Sequence, residues 1–155
     1  MTVPHVPILS PDQLPISLGM PLDGRSKTVV SDVINPHGFV VFTGYGVSSD
    51  EEFHDFIECF GLPNFTYAES FSNAVRRNRT PRVFTANEAP PEIEIFLHHE
   101  MAQTLVFPGQ LFFFCEQAPT VGGATPIGRS DLALVALEKA RPNFVAKLRS
   151  LGVRY

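Results

Sequence analysis

Three consecutive residues, His98-His99-Glu100, are the part of this chain best suited to bond-making chemistry. Imidazole nitrogen and carboxylate oxygen are both ligands for a divalent metal ion. On a β-strand, residues two apart share a face, with Cα atoms about 6.6 Å apart, twice the ~3.3 Å rise. His98 and Glu100 so placed converge on one ion. On a helix the same pair diverges by about 200°, because each residue turns the chain by ~100°. A His-x-Glu clamp therefore requires a strand, and the flanking sequence reads as one. Ile93, Ile95 and Leu97 fall on one face; Glu94, Phe96, His98 and Glu100 fall on the other. Spacing alone leaves a second reading open, that of two alternating surface side chains.

A distal histidine would close a 2-His-1-carboxylate triad. That triad leaves adjacent positions open and suits an iron ion that takes a chelating co-substrate and then oxygen. His99 points to the opposite strand face and reads as a packing or supporting residue. His5, His37 and His54 fall in a strap, a turn and a helix, and read as solvent contacts. Arg76, Arg77 and Arg79 lie in a polar stretch, and each is a candidate for holding a substrate carboxylate through charge-assisted hydrogen bonds. A plain solvated loop is the competing reading. Asn87, shortly before the metal-binding segment, is a further candidate substrate contact.

The elements that must position these groups are short. Residues 1–24 carry Pro4, Pro7, Pro11, Pro15 and Pro21, which predicts an extended surface strap. Ser26 is placed to cap a helix with the apolar stripe Val29, Val30, Val33 and Ile34, ending at Asn35-Pro36. Phe39 to Phe42 is a continuous apolar run suited to a buried strand, broken by Gly44 and Gly46. Ser49 and Glu52 form a capping-box pair ahead of Phe53, Phe56, Ile57 and Phe60, spaced as one helix face, with Gly61 at the C-terminal cap. Asn64 to Thr80 is polar and aperiodic, a long loop. After Pro108-Gly109, Gln110 to Glu116 reads as a second strand. Gly122-Gly123 then turns the chain into Ala124 to Gly128. Helices over Asp131–Arg141 and Asn143–Leu151 close the sequence.

Composition bounds the class. The chain has 155 residues, enough for one domain that buries about two-thirds of its unfolded surface. Phe is abundant at 14 and Trp is absent, so the core is expected to be built around phenylalanine. A net charge of −4 lacks the positive field that holds nucleic acid. No apolar run is long enough to span a membrane, and the first residues lack a signal-peptide pattern. Two cysteines, Cys59 and Cys115, are too few for a disulfide framework and read as buried small hydrophobes. A reduced, cytoplasmic protein is expected.

From Val83 to Tyr155 the sequence resembles the taurine dioxygenase family, in particular its clavaminate-synthase-like branch. The segments that carry the resemblance are Ala89-Pro90-Pro91, Leu97-His98-His99-Glu100-Met101-Ala102, Leu111-Phe112-Phe113-Phe114-Cys115-Glu116, Gly122-Gly123-Ala124-Thr125-Pro126 and Gly152-Val153-Arg154-Tyr155. Gly38 to Phe42 is similar to the family's first core strand more weakly. The resemblance implies a mainly β fold with flanking helices, the first part of a double-stranded β-helix, or jelly roll. It implies Fe(II), 2-oxoglutarate and dioxygen (O2) as cofactor and co-substrates. His98 and Glu100 become the first two iron ligands and catalytic residues, with Glu in place of the more usual Asp, as in the clavaminate-synthase-like branch. Thr125 becomes the threonine whose hydroxyl binds the distal carboxylate of 2-oxoglutarate; a plain strand residue after a Gly-Gly turn is its other reading. The expected reaction is oxidation of a C–H bond in a small-molecule substrate, by hydroxylation, desaturation or oxidative cyclisation. An amino acid or specialised metabolite is the expected substrate.

In that family the distal histidine and the arginine that pairs with 2-oxoglutarate lie downstream, beyond Tyr155. Residues 1–155 are therefore expected to be the N-terminal part of one jelly-roll domain. The missing C-terminal half would be supplied in cis or as another chain. The alternative is a truncated relative that binds without catalysing. A zinc hydrolase is a distant third, since no His-Glu-x-x-His segment is present.

Overall fold

The computed structural model describes residues 6–65, 76–86, 88, 90 and 92–154. Asp23 starts the first helix, its Oδ1 accepting from the Ser26 amide at 2.7 Å. Helix α1 (Gly24–His37) thus begins two residues before the expected Ser26 cap and runs through Pro36. Pro36 contributes no amide to the helix ladder, and the helix ends one residue later. Gly38, at φ +79°, returns its amide to the Ile34 carbonyl. The positive φ is what requires glycine; a Cβ there would also lie 2.8 Å from Arg129 Cδ, so the arginine side chain would have to shift.

Strand β1 (Ile8–Leu9) lies in the proline-rich strap, and β2 (Val41–Phe42) follows α1. The two pair in parallel, with Ile8 opposite Val41 and Leu9 opposite Phe42. Helix α1 is the crossover between them, giving a small β-α-β unit. Leu9, Leu14, Leu22, Val30 and Cys59 form the core beneath it, with Val29, Val33, Ile34, Phe42 and Phe60 packed around them. The Tyr45 hydroxyl donates to the Leu14 carbonyl at 2.8 Å and pins the strap over this core.

Helix α2 (Asp50–Glu58) is capped by Ser49, whose Oγ accepts from the Glu52 amide at 3.2 Å. The Glu52 carboxylate accepts chiefly from the Ser48 amide and hydroxyl at 2.8 and 2.7 Å, and more weakly from the Ser49 amide. The helix then works on two sides. Phe56 and the following Phe60 join Phe42 in edge-to-face contacts at 5.2 and 5.6 Å. Phe53 and Ile57 join Val83, Phe112 and Phe114 in a second cluster, with Phe53 stacked on Phe114 at 5.2 Å. Phenylalanines pack on both sides of α2, but the buried centre of the first core is Leu, Val and Cys, so phenylalanine does not dominate the core as composition suggested. Helices α3 (Ser130–Ala140) and α4 (Pro142–Leu151) lie against each other, within one residue of the expected bounds.

The expected mainly β jelly roll is not what the described residues form. Their sheet consists of β1 and β2 alone, each of two residues, supplemented by an isolated antiparallel bridge between Asn78 and Phe84. Residues 94–99 and 110–115 do not form strands. Alternation supplies two faces, but a strand exists only where a neighbour completes the hydrogen-bond ladder. Among the described residues no neighbour does so for either run. The face pattern nevertheless persists at 112–114: Phe112 and Phe114 turn toward α2, and Phe113 is exposed.

Candidate functional site

Backbone turns bracket the His98–Glu100 segment. The Ile93 amide bonds to the Pro90 carbonyl at 2.9 Å, and the Thr104 amide to the Met101 carbonyl at 3.0 Å. Met101 is buried and holds φ +60°, a left-handed conformation rare outside glycine. Thr104 Oγ1 lies 2.6 Å from the Val106 carbonyl and 2.9 Å from the Met101 carbonyl, so its one proton is shared between the two. A buried side chain on a fixed turn sets the direction in which the preceding residue, Glu100, leaves the backbone.

His98 is exposed, and its Nδ1 lies 2.7 Å from the Phe96 carbonyl. A carbonyl only accepts, so Nδ1 carries a proton in this contact. That is the arrangement a metal-ligating imidazole needs. The Glu100 side chain is 15% exposed, and Arg76 Nη2 lies 3.3 and 3.4 Å from its two oxygens. His99 bonds through Nε2 to Ser130 Oγ at 2.8 Å, a structural tie in keeping with its supporting role.

Thr125 is exposed on the irregular stretch after the Gly122-Gly123 turn. A Cβ on Gly123 would lie 2.4 Å from Pro119 Cγ, so this turn tolerates no side chain at that position. The arginines expected to meet a substrate meet acidic side chains of the protein. Arg79 Nε donates to Asp50 Oδ2 at 2.6 Å, which raises the arginine pKa further above its ordinary value. Arg77 pairs with Glu88 at 3.1 Å. Asn87 lies outside the described residues, as does most of the expected Asn64–Thr80 loop.

Two smaller expectations are corrected. Cys59 is buried, but Cys115 is exposed, since the run that would have buried it has no covering neighbour. His54 is no solvent contact: its Nδ1 meets Thr80 Oγ1 at 2.9 Å and Nε2 lies 3.7 Å from Glu58. The residue missed by sequence reasoning is Arg76 in its actual role. Its charge was visible, but its partner, Glu100, lies 24 positions on and carries no local signal.

The described residues contain no group of three or more His, Cys, Asp or Glu side chains placed to hold a metal ion. The segment is not a strand, so the shared face that would bring His98 and Glu100 to one ion is not formed; the two stand as separate donors, an exposed imidazole and a shielded carboxylate, of the kinds an Fe(II) site uses.

The family model for taurine catabolism dioxygenase TauD, of the TfdA family, matches residues 4–155. The chain belongs to this dioxygenase family. It is 37% identical to a clavaminate synthase-like protein of Arabidopsis thaliana, over 98% of this chain and 48% of that protein. It is 27% identical to the dapdiamide synthesis protein DdaC of Enterobacter agglomerans, over 98% of this chain and 44% of that protein. The chain spans about half the length of these relatives. No helix among its described residues is long and apolar enough to cross a membrane.

Proposed function

We propose that the protein is an Fe(II)/2-oxoglutarate-dependent dioxygenase that oxidises a C–H bond of a small substrate, an amino acid or a specialised metabolite. The observation that carries this reading is the family match over residues 4–155, with the His98-x-Glu100 segment inside it. Bound iron, with 2-oxoglutarate and O2, would supply the oxidising power, 2-oxoglutarate leaving as succinate and carbon dioxide.

The side chains of this portion act by holding and excluding. His98 offers Nε2 to the metal, its ring fixed by the Nδ1–H bond to the Phe96 carbonyl. Glu100 offers a carboxylate whose direction is set by the Met101 turn. Thr125 donates its hydroxyl to the distal carboxylate of 2-oxoglutarate. Residues 1–155 form the N-terminal part of the catalytic unit, and the remaining donor and the cation for 2-oxoglutarate come from residues outside this portion. The relatives' greater length supports that division. So does the apolar surface left uncovered at Ile93, Ile95, Phe96, Leu97, Leu105 and Phe107. The two free cysteines, Cys59 and Cys115, support a reduced, cytoplasmic setting.

The test is iron content and 2-oxoglutarate-dependent succinate formation in the complete protein and its His98→Ala variant. The variant is expected to lose both while keeping its fold by circular dichroism. Full iron retention and turnover in His98→Ala would refute the assignment.

A further inference from the structure

We propose that Arg76 is a placeholder cation for Glu100. Its guanidinium occupies the mouth of the carboxylate until a metal ion arrives, and so sets the protein's affinity for that ion. This inference rests on the reading of Glu100 as a metal ligand.

The geometry is specific. A single nitrogen, Arg76 Nη2, lies 3.3 Å from Oε1 and 3.4 Å from Oε2. Near-equal distances put that nitrogen across the fork of the carboxylate, not behind one oxygen. A cation held by both oxygens would sit there, and a cation held by one oxygen would sit beside it. Charge-assisted hydrogen bonds ordinarily run ~2.7–2.9 Å. The Arg76 contacts are longer, and two nitrogens are not matched to two oxygens. Attraction between charges, more than a forked hydrogen-bond lock, holds this pair.

Burial gives the pair its purpose. The side chains of Arg76 and Glu100 are 17% and 15% exposed. A carboxylate so shielded is costly to leave without a counter-charge. Arg76 provides one, and a guanidinium keeps its charge at every working pH, so it cannot yield by losing a proton. A metal ion must displace it bodily. Arg76 stands on a different segment, 24 residues before Glu100, so the cation and the carboxylate are carried by separate stretches of backbone, the latter held at the Met101 turn. Its neighbours are used otherwise: Arg77, Arg79 and Arg82 pair with Glu88, Asp50 and Glu58, acids outside the His98–Glu100 segment.

The experiment measures binding of Fe(II), without oxygen, and of Mn(II) to the complete protein, with no 2-oxoglutarate or substrate present. Wild type is compared with Arg76→Gln, Arg76→Lys and Glu100→Gln. Arg76→Gln is expected to bind metal about tenfold tighter, the effect of removing one partly screened charge at close range. Its metal-free form should melt lower than wild type and recover more on metal addition. Arg76→Lys keeps the charge but draws it back from the fork, so its affinity should fall between the two. If Arg76→Gln does not fold, Arg76→Lys decides alone: tighter binding than wild type supports the placeholder, and equal or weaker binding overturns it. Unchanged or weaker binding by a folded Arg76→Gln also overturns it, the weaker result making Arg76 a support for the liganded carboxylate. Wild-type affinity in Glu100→Gln would overturn the ligand reading itself, and this proposal with it. Loss of metal in Glu100→Gln with no gain in Arg76→Gln would overturn the placeholder alone.

Discussion

His99 Nε2 and Ser130 Oγ meet at 2.8 Å across 31 residues of sequence, joining the residue between the two candidate ligands to the first residue of α3. The chain from His99 to Ser130 is thereby closed into a loop, and Thr125 lies on it. A tether five residues from Thr125 restricts where its hydroxyl can go.

Thr125→Ala should weaken 2-oxoglutarate binding in the complete protein while leaving metal affinity unchanged. Loss of one hydrogen bond to a charged group is worth about 1.5–3 kcal/mol, roughly ten- to a hundredfold in affinity. Calorimetric titration with 2-oxoglutarate checks this, and an unchanged dissociation constant would return Thr125 to a structural role.

Leu14 is 1% exposed at the centre of the first core. Leu14→Ala should cost about 2–5 kcal/mol through lost burial and a residual cavity. Leu105, at 100% exposure, is the internal control: Leu105→Ala should stay within about 0.5 kcal/mol. Thermal melts of the two variants side by side would show the contrast, and similar melting temperatures would contradict the core assignment.

Asp131 titrates low, at about 2, chiefly because the Arg129 side chain donates to it. The sign follows from linkage: a depressed folded-state pKa favours folding above the unfolded value, near 4. That contribution fades as pH falls through about 2. Arg129 also donates through Nη1 to the Pro36 carbonyl in α1, while Nε and Nη2 serve Asp131. In an NMR titration Arg129→Gln should bring the Asp131 midpoint back toward 3.8; a midpoint that stays low would assign the shift elsewhere.

Residues 1–155 expressed alone should self-associate through the apolar side chains exposed over 93–97 and 105–107. Replacing Phe96, Leu105 and Phe107 together with Ser should shift sedimentation toward the monomer. Persistent association in the triple variant would move the interface elsewhere.

Local signals in the sequence were readable and non-local ones were not. The α2 cap lay within four residues, so Ser49 and Glu52 announced the helix start; the rotation of Glu52 toward Ser48 depends on a hydroxyl the pattern did not weigh. Both C-terminal helices were legible because Pro142 separates them and Gly152 ends the second. The strands at 93–100 and 110–116 were misread because alternation reports which face a side chain takes, whereas pairing depends on a distant partner. His98 and Glu100 stood out by residue type and family resemblance. The guanidinium lying across Glu100 could be found only in three dimensions.

The distribution of the first core along the chain sets an order of events. Its buried members and the residues packed on them run from Leu9 to Phe60. The second cluster needs Val83, Phe112 and Phe114 as well. During synthesis, at about 5–20 residues per second, the first core can close several seconds before the last of these emerges. Helix α2 then waits with one side buried and the other open, a nascent template on which the His98–Glu100 portion is laid down as it leaves the ribosome.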